Sequence, residues 1–215
     1  MSKRFRVAVA DDFRISRRFF EGYVESASDY ELTKSLHSAS DAVAYCIEAQ
    51  PDLLLLDVLM RSGMDGLTAA AEIKKRRLKT KIILATSTAE DAWVKRARAI
   101  GVDGFWYKEY SEMSLLEIMD HVMAGETVYP DTPPNVSFGR ISRSDLTERE
   151  LDVLRELTGG YTNEGIAERL GISINTVRTH LQNILNKTGF DNRLDLAMNA
   201  KSIGLVVNDN DLIRS

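Results

Sequence analysis

The chain has 215 residues, of which 44% are hydrophobic, 7% aromatic and 28% charged, and its formal net charge is −4. This ordinary globular mixture excludes collagen-like, mucin-like and wholly disordered proteins. Apolar runs such as residues 53–56 are far shorter than the roughly 20 residues that a membrane-spanning helix needs, and the acids near the start argue against a signal peptide. The single Cys46 cannot form an internal disulfide, and no Cys/His cluster indicates zinc. We therefore expect a cytoplasmic protein without a membrane partner.

The charges are spread almost evenly along the chain. From residue 145 onward 8 Lys and Arg face 11 Asp and Glu, and residues 1–144 hold 20 against 21. Neither part is a basic domain, so net charge gives no support to nucleic-acid binding. Any such activity must depend on a local surface.

Short β-rich apolar runs alternate with amphipathic segments over residues 1–125. The predicted strands are residues 7–10, 31–35, 53–56, 82–85 and 104–107, and the predicted helices are residues 16–25, 40–48, 66–77, 89–100 and 111–124. This alternation is typical of βαβ units. It predicts an α/β domain, a (βα)5 doubly wound parallel sheet with helices on both faces.

The pattern changes after residue 125. Residues 126–144 hold three of the four prolines and are predicted to be a linker, although their apolar residues would let part of it dock. Four short helices are predicted beyond it, at residues 147–157, 163–170, 174–187 and 193–202, with glycines at their ends. Residues 145–215 are therefore expected to form a small all-α domain.

Polar residues follow the predicted strands of the first domain. Asp11 and Asp12 follow the first strand, Asp57 the third, Thr86 closes the fourth, and Lys108 follows the fifth. The carboxyl ends of parallel strands are where doubly wound sheets bind ligands. Clustered carboxylates repel one another unless a cation such as Mg²⁺ joins them, while a lysine and a hydroxyl suit the oxygens of a phosphoryl group transferred to an aspartate. Each residue alone would equally suit a turn, a helix cap or the surface, so the prediction depends on the combination.

The same segments, AVADD, LLLLDV, GMDG, LATS and GFWYKE, resemble the receiver domain of two-component response regulators over roughly residues 4–125. The resemblance implies that Asp57 accepts a phosphoryl group from a sensor histidine kinase. It also implies that Asp11, Asp12, Asp57 and the backbone carbonyl of Leu59 bind Mg²⁺, and that Thr86 and Lys108 contact the phosphoryl oxygens. Phe105 occupies the family's aromatic switch position beside Thr86, and it equally suits a place in the core.

The chain departs from the receiver pattern after the phospho-acceptor. The family usually has Met-Pro-x-Met-Asp-Gly, whereas this chain has Met-Arg-Ser-Gly-Met-Asp-Gly over residues 60–66, with Arg61 in place of proline and one residue inserted. Because of this altered loop, one alternative stays open, an atypical regulator whose state is set by a ligand or a partner. Leu59 and Thr88 occupy the positions that tune dephosphorylation in similar receivers, and neither is suited to orient water, so we expect a long-lived phospho-aspartate.

Residues 163–170 and 174–187 are joined by a tight glycine-containing turn, which is typical of a helix-turn-helix. A small bundle that binds nothing is the alternative. The N-terminal half of the second helix presents polar side chains suited to base edges in the major groove: Asn175, Thr176, Arg178, Thr179 and Gln182. Residues suited to phosphate contacts lie around it: Thr162, Asn163, Lys187 and Arg193.

The segment LTERELDVLRELTGGYTNEGIAERLGISINTVRTHLQNILNKTG, followed by Asn-Arg, resembles the LuxR-type helix-turn-helix of NarL/FixJ regulators over nearly all of residues 145–204. The resemblance implies base contacts by Arg178, Thr179 and Gln182, and backbone contacts by Asn163, Thr176 and Lys187. Gly165 stands where the family usually has Glu, and a glycine inside a helix costs about 1 kcal/mol against alanine.

Together the two resemblances imply a response regulator whose phosphorylation shifts dimerisation and sequence-specific binding to a two-fold-related site in double-stranded DNA. RNA polymerase would be a further partner, and no local signature identifies its contact. The only enzymatic chemistry expected is self-phosphorylation and autodephosphorylation. Two other classes stay open, a small phosphotransferase and a protein-interaction module.

Overall fold

Two compact units make up the chain, and each is described by itself: among the described residues, the first unit holds residues 4–87 and 91–132, and the second holds residues 88–90 and 134–208. The computed structural model describes residues 4–60, 63–132 and 134–208. The first unit contains a sheet of five strands: β1 (Phe5–Ala10), β2 (Tyr30–Leu36), β3 (Leu53–Asp57), β4 (Lys81–Thr86) and β5 (Gly104–Tyr107). All neighbouring strands are parallel, in the order β2-β1-β3-β4-β5. This is the predicted doubly wound fold, and its strand order reverses between β1 and β3, where such sheets open a crevice.

Five helices connect and follow these strands: α1 (Arg14–Ser26), α2 (Ala39–Ala49), α3 (Gly66–Lys75), α4 (Asp91–Ile100) and α5 (Leu115–Met123). Helix α1 contacts α5, whereas α2, α3 and α4 contact one another in turn, as expected for helices on two faces of a sheet. Residues 7–10 of β1 and the apolar residues of β3 and β4 are almost wholly buried because both faces of the sheet are covered. All five predicted strands and helices are therefore confirmed, with small differences at their ends.

Helix α5 begins four residues later than predicted, for a local reason. The Ser111 hydroxyl accepts a hydrogen bond from the backbone N–H of Tyr107, which commits Ser111 to the turn after β5. Ser114 then caps α5 together with Glu117 in a capping box. The serine that caps the helix is thus the later of the two.

The second unit contains helices α6 (Glu148–Thr158), α7 (Asn163–Leu170), α8 (Ile174–Thr188) and α9 (Arg193–Ser202). Their apolar faces enclose one core that includes Leu154, Ile166, Val177, Ile184 and Leu196. All four predicted helices are confirmed. Capping residues Thr147, Thr162, Ser173 and Asn192 begin them, as the spacing of polar and apolar residues requires.

The predicted linker contains β-structure, and its apolar residues take part in it, as the expectation that part of the segment docks allows. Val128 pairs with Gly104 as an isolated parallel bridge at the edge of β5, and its carbonyl accepts the N–H of Phe105 at 2.9 Å. Farther on, β6 (Ser137–Phe138) and β7 (Ile141–Ser142) form a short antiparallel hairpin. The linker bounds of 126–144 thus stay a prediction, although residues near both ends of this segment pair in β-structure.

No helix within the described ranges is long and apolar enough to cross a membrane.

Candidate functional site

The carboxyl edge of the sheet brings the predicted acidic residues together. Asp11 directly follows β1, and Asp57 is the last residue of β3, the strand beside it. Thr86 ends β4, and Lys108 follows β5. Asp11 and Thr86 are each only 1% exposed and Asp57 is 6% exposed, whereas Asp12 is half-buried. The strand order thus assembles at one rim residues that lie up to 97 positions apart.

The ammonium of Lys108 joins the two buried carboxylates. Its Nζ donates to Asp57 Oδ1 at 2.6 Å and to Asp11 Oδ2 at 2.9 Å. Nζ also donates to the hydroxyl of Ser16 at 2.6 Å. Sequence reasoning missed Ser16, and the one available signal was its position four residues after Asp12, in the first turn of α1.

Asp11 is oriented by the start of α1. Its Oδ1 accepts the backbone N–H of Phe13 at 2.8 Å, which leaves Oδ2 directed at Lys108. The guanidinium of the buried Arg17 donates to the backbone carbonyl of Asp11 at 2.8 Å. Arg17 was also missed, and it connects α1 to the loop that carries the two acids.

The electrostatics of the site follow from burial. Burial is the main cause that raises the pKa of Asp57, the ammonium of Lys108 opposes it and the neighbouring Asp11 supports it, and the resulting pKa is about 7. Burial acts to lower the pKa of Lys108, but the charges of Asp57 and Asp11 outweigh it and raise that pKa above its usual range. Lys108 is therefore held as a cation against the carboxylates.

The described residues contain no group of three His, Cys, Asp or Glu side chains already converged on a metal position. The cation between the buried carboxylates is instead the Lys108 ammonium, within 2.9 Å of both. Carboxylate oxygens such as those of Asp11 and Asp57 are the type of ligand that Mg²⁺ prefers. It stays a prediction that Mg²⁺ binds to Asp11, Asp12, Asp57 and the backbone carbonyl of the half-buried Leu59.

The predicted switch residues are buried in this structure. Phe105 is 1% exposed, with its ring 5.2 Å from that of Tyr107. The backbone carbonyl of Thr86 accepts the N–H of Lys108 at 2.9 Å, which connects the ends of β4 and β5. Arg61, in the predicted unusual loop, lies outside the described residues.

In the second unit, α7 and α8 form the predicted helix-turn-helix. Gly171 ends α7 in the left-handed conformation, with a φ of 63°, and the Ser173 hydroxyl accepts the N–H of Thr176 at 3.1 Å to begin α8. The predicted base-reading side chains Asn175, Arg178, Thr179 and Gln182 are exposed, and Thr176 is half-buried. They occupy the side of α8 opposite to the buried Val177 and Leu181. The outward face therefore carries donors and acceptors suited to base edges.

The predicted phosphate-contacting residues have contacts within the unit. Thr162 caps α7, and the Arg193 guanidinium donates to Asn163 Oδ1 at 3.1 Å and to the carbonyl of Tyr161 at 2.9 Å. Lys187 Nζ donates to the buried Glu150 at 2.8 Å. Arg193 thus connects α9 to the start of α7, and Lys187 connects α8 to the start of α6. Their contacts with phosphate stay predictions.

Two family models match the chain. The response regulator receiver domain matches residues 7–120, and the bacterial regulatory proteins of the luxR family match residues 144–200. The chain belongs to the LuxR-family response regulators, which join a receiver domain to a helix-turn-helix DNA-binding domain.

The similar proteins cover between 55% and 94% of this chain. Response regulator protein VraR of Staphylococcus aureus (strain Mu3 / ATCC 700698) is 33% identical over 206 residues, which cover 94% of this chain and 98% of VraR. A crystal structure of a LuxR-family DNA-binding response regulator from Staphylococcus aureus has a TM-score of 0.52 and 28% identity, covering 55% of this chain and 98% of that one. The RcsB–DNA complex has a TM-score of 0.60 over 93% of this chain and 99% of RcsB, and at 20% identity it supports the fold alone.

Proposed function

We propose that this protein is a phosphorylation-controlled transcription regulator in which Asp57 is the phospho-acceptor. The observation that carries the proposal is the buried Asp57 carboxylate at the end of β3, with Lys108 Nζ 2.6 Å from its Oδ1. A sensor histidine kinase is the proposed donor, and the RcsB–DNA complex is a precedent for a related fold on DNA.

In the proposed transfer, a carboxylate oxygen of Asp57 attacks the phosphorus of a phosphohistidine. A P–O bond forms, the P–N bond breaks, and the electron pair of that bond returns to the imidazole, which takes up a proton. Lys108 stabilises charge on the phosphoryl oxygens, and Thr86 donates a hydrogen bond to one of them. Asp11, Asp12, Asp57 and the Leu59 carbonyl would hold Mg²⁺, which supplies charge neutralisation when bound.

Phosphorylation converts the Asp57 carboxylate, which carries one negative charge, into an acyl phosphate that carries about two, so this rim gains about one negative charge. We propose that Thr86 and Phe105 shift toward the new charge and change the surface formed by the last elements of the receiver domain. The proposed change is a shift of the monomer–dimer equilibrium toward the dimer. The phosphoryl group shifts this equilibrium because it interacts more favourably with the dimeric state than with the monomeric one. The dimer places two α8 helices on a two-fold-related duplex, and RNA polymerase is a further proposed partner.

Intact mass tests the acceptor. The full chain is incubated with acetyl phosphate and Mg²⁺, and Asp57→Ala is compared with Asp131→Ala, which removes an exposed carboxylate. We expect wild type and Asp131→Ala to gain about 80 Da, one phosphoryl group, and Asp57→Ala to gain nothing. Absence of a gain in wild type would overturn the proposal and favour the atypical regulator.

A selection of DNA duplexes tests sequence recognition by α8. DNA duplexes are first enriched from a random pool by binding to the phosphorylated protein. Binding of the enriched duplexes is then measured for the Arg178→Ala and Arg178→Lys variants. Lysine keeps the charge and loses the bidentate geometry of arginine, so we expect both variants to lose specificity and Arg178→Lys to retain the non-specific binding. Failure of the wild type to enrich any duplex would overturn DNA recognition and favour a protein-interaction module.

A further inference from the structure

The ammonium of Lys108 has one acceptor for each of its three hydrogens. These are Asp57 Oδ1 at 2.6 Å, Ser16 Oγ at 2.6 Å and Asp11 Oδ2 at 2.9 Å. The ring of the buried Phe20 lies beside it, with its centroid 4.8 Å from Nζ. An ammonium offers three donors, so its position is fully determined by these groups.

The three acceptors differ in what the proposed phosphoryl transfer does to them. An Asp57 oxygen becomes bonded to phosphorus, and Asp11 is a proposed ligand of Mg²⁺. Both carboxylates thus acquire a competing partner during the reaction. Ser16 is neutral and takes part in neither bond, so its hydroxyl remains available to Lys108 throughout.

The start of α1 holds Ser16 in place. Arg17, the next residue, is buried and donates to the Asp11 carbonyl at 2.8 Å. Phe20 follows Ser16 by four residues, one turn along the same side of the helix, and is wholly buried. Ser16 is therefore presented to Lys108 by two anchored neighbours.

We propose that Ser16 is a positioning residue for phosphoryl transfer, which holds the Lys108 ammonium in line with the phosphoryl oxygens when Asp57 and Asp11 engage other partners. This inference rests on the proposed function. Ser16 acts through Lys108, so its removal lowers the rate of transfer from bound donor more than it weakens donor binding.

The test measures phosphorylation of the full chain by intact mass against time, over a range of acetyl phosphate concentrations with saturating Mg²⁺. Ser16→Ala is expected to lower the rate constant at saturating acetyl phosphate about tenfold, about 1.4 kcal/mol of barrier. The half-saturating concentration is expected to change less than about twofold, and Ser16→Thr, which keeps the hydroxyl, is expected to restore most of the rate. Ser26→Ala is the matched control, because Ser26 ends the same helix and its hydroxyl donates to the Tyr23 carbonyl at 2.8 Å, within α1 itself.

The outcomes distinguish failure of the role proposed for Ser16 from failure of the proposed function. If wild type gains no phosphoryl group, the proposed function itself fails. If wild type is phosphorylated and Ser16→Ala reacts equally fast, the positioning role is wrong while the function of Asp57 stands. A slow Ser16→Ala that Ser16→Thr does not rescue also overturns the role of the hydroxyl, and thermal unfolding of each variant shows that the native fold is retained.

Discussion

At the scale of single residues, Asp103 shows how one carboxylate joins several elements. It accepts hydrogen bonds from Lys74 on α3, from Lys81 on β4 at 3.0 Å and from the N–H of Ile82 at 2.8 Å. Burial acts to raise the pKa of Asp103, but these donors outweigh it and hold the pKa below its usual value. We expect Asp103→Asn to lower the free energy of unfolding by about 1 to 3 kcal/mol at pH 7, measured by urea denaturation.

The pH dependence of that loss has a definite sign. Because the folded-state pKa is lower than that of the unfolded chain, the stabilisation is fully present above the unfolded value of about 3.9 and is lost as the pH falls through the folded value. The difference between wild type and Asp103→Asn should therefore shrink as the pH drops below about 4. A difference that stays constant down to pH 2 would contradict this account, and Asp131→Asn, at an exposed position, serves as control.

At the scale of elements, two helical glycines have opposite roles. A Cβ at Gly66, the first residue of α3, would lie 2.0 Å from the backbone oxygen of Asp57. A Cβ at Gly165 in α7 would meet nothing closer than the Cβ of Tyr161 at 3.5 Å. We expect Gly66→Ala to destabilise the protein by about 2 kcal/mol or more and to slow the phosphorylation of Asp57. We expect Gly165→Ala to stabilise it by about 0.5 to 1 kcal/mol, because alanine loses less backbone entropy in a helix.

Thermal and urea unfolding measure both variants, and each is the other's control. If both substitutions changed the free energy of unfolding equally, helix propensity would explain both effects. The close approach of α3 to β3 would then have no influence on stability. Gly165 also bears on the departure from the LuxR pattern. Since a side chain there would make only ordinary van der Waals contacts, the glycine weakens α7 slightly and leaves the helix-turn-helix intact.

At the scale of the whole molecule, the charge balance bears on how DNA is recognised. Residues 145–215 hold 11 acids against 8 bases, so we expect weak non-specific attraction to phosphates and propose that binding needs α8 from a second copy of the chain. We expect the phosphorylated protein to bind an enriched two-fold duplex about 100-fold more tightly than the same duplex with one half-site scrambled. Fluorescence anisotropy measures this ratio, with Asp57→Ala as the control that should lose it. A ratio near one in the phosphorylated protein would rule out paired recognition.

The lifetime of the phosphorylated state is a second property of the whole molecule. The receiver resemblance predicts that Leu59 and Thr88 occupy the positions that tune dephosphorylation, and neither side chain is expected to orient water. We expect the phosphorylated form to persist for many minutes after acetyl phosphate is removed, as followed by intact mass. Decay within seconds would contradict this, and Leu59→Asn, which introduces an amide, should shorten the lifetime.

Much of this protein is decided by local sequence pattern. Alternating apolar runs and amphipathic segments determine the strands and helices, because the periods of burial differ between the two structures. The strand-end positions of Asp11, Asp57, Thr86 and Lys108 then follow, since parallel strands share one carboxyl edge. Serine and threonine caps likewise mark the starts of α6, α7 and α8.

Only the tertiary structure decided the contacts that connect distant elements. Ser16 meets Lys108 across 92 residues, and Lys187 meets Glu150 across 37, although each has the sequence context of an ordinary helical surface residue. Val128, in a segment with the composition of a linker, pairs with β5 because that strand has a free edge. The physical reason is that a local pattern specifies which side of an element is buried, whereas the partner found there depends on how the elements pack.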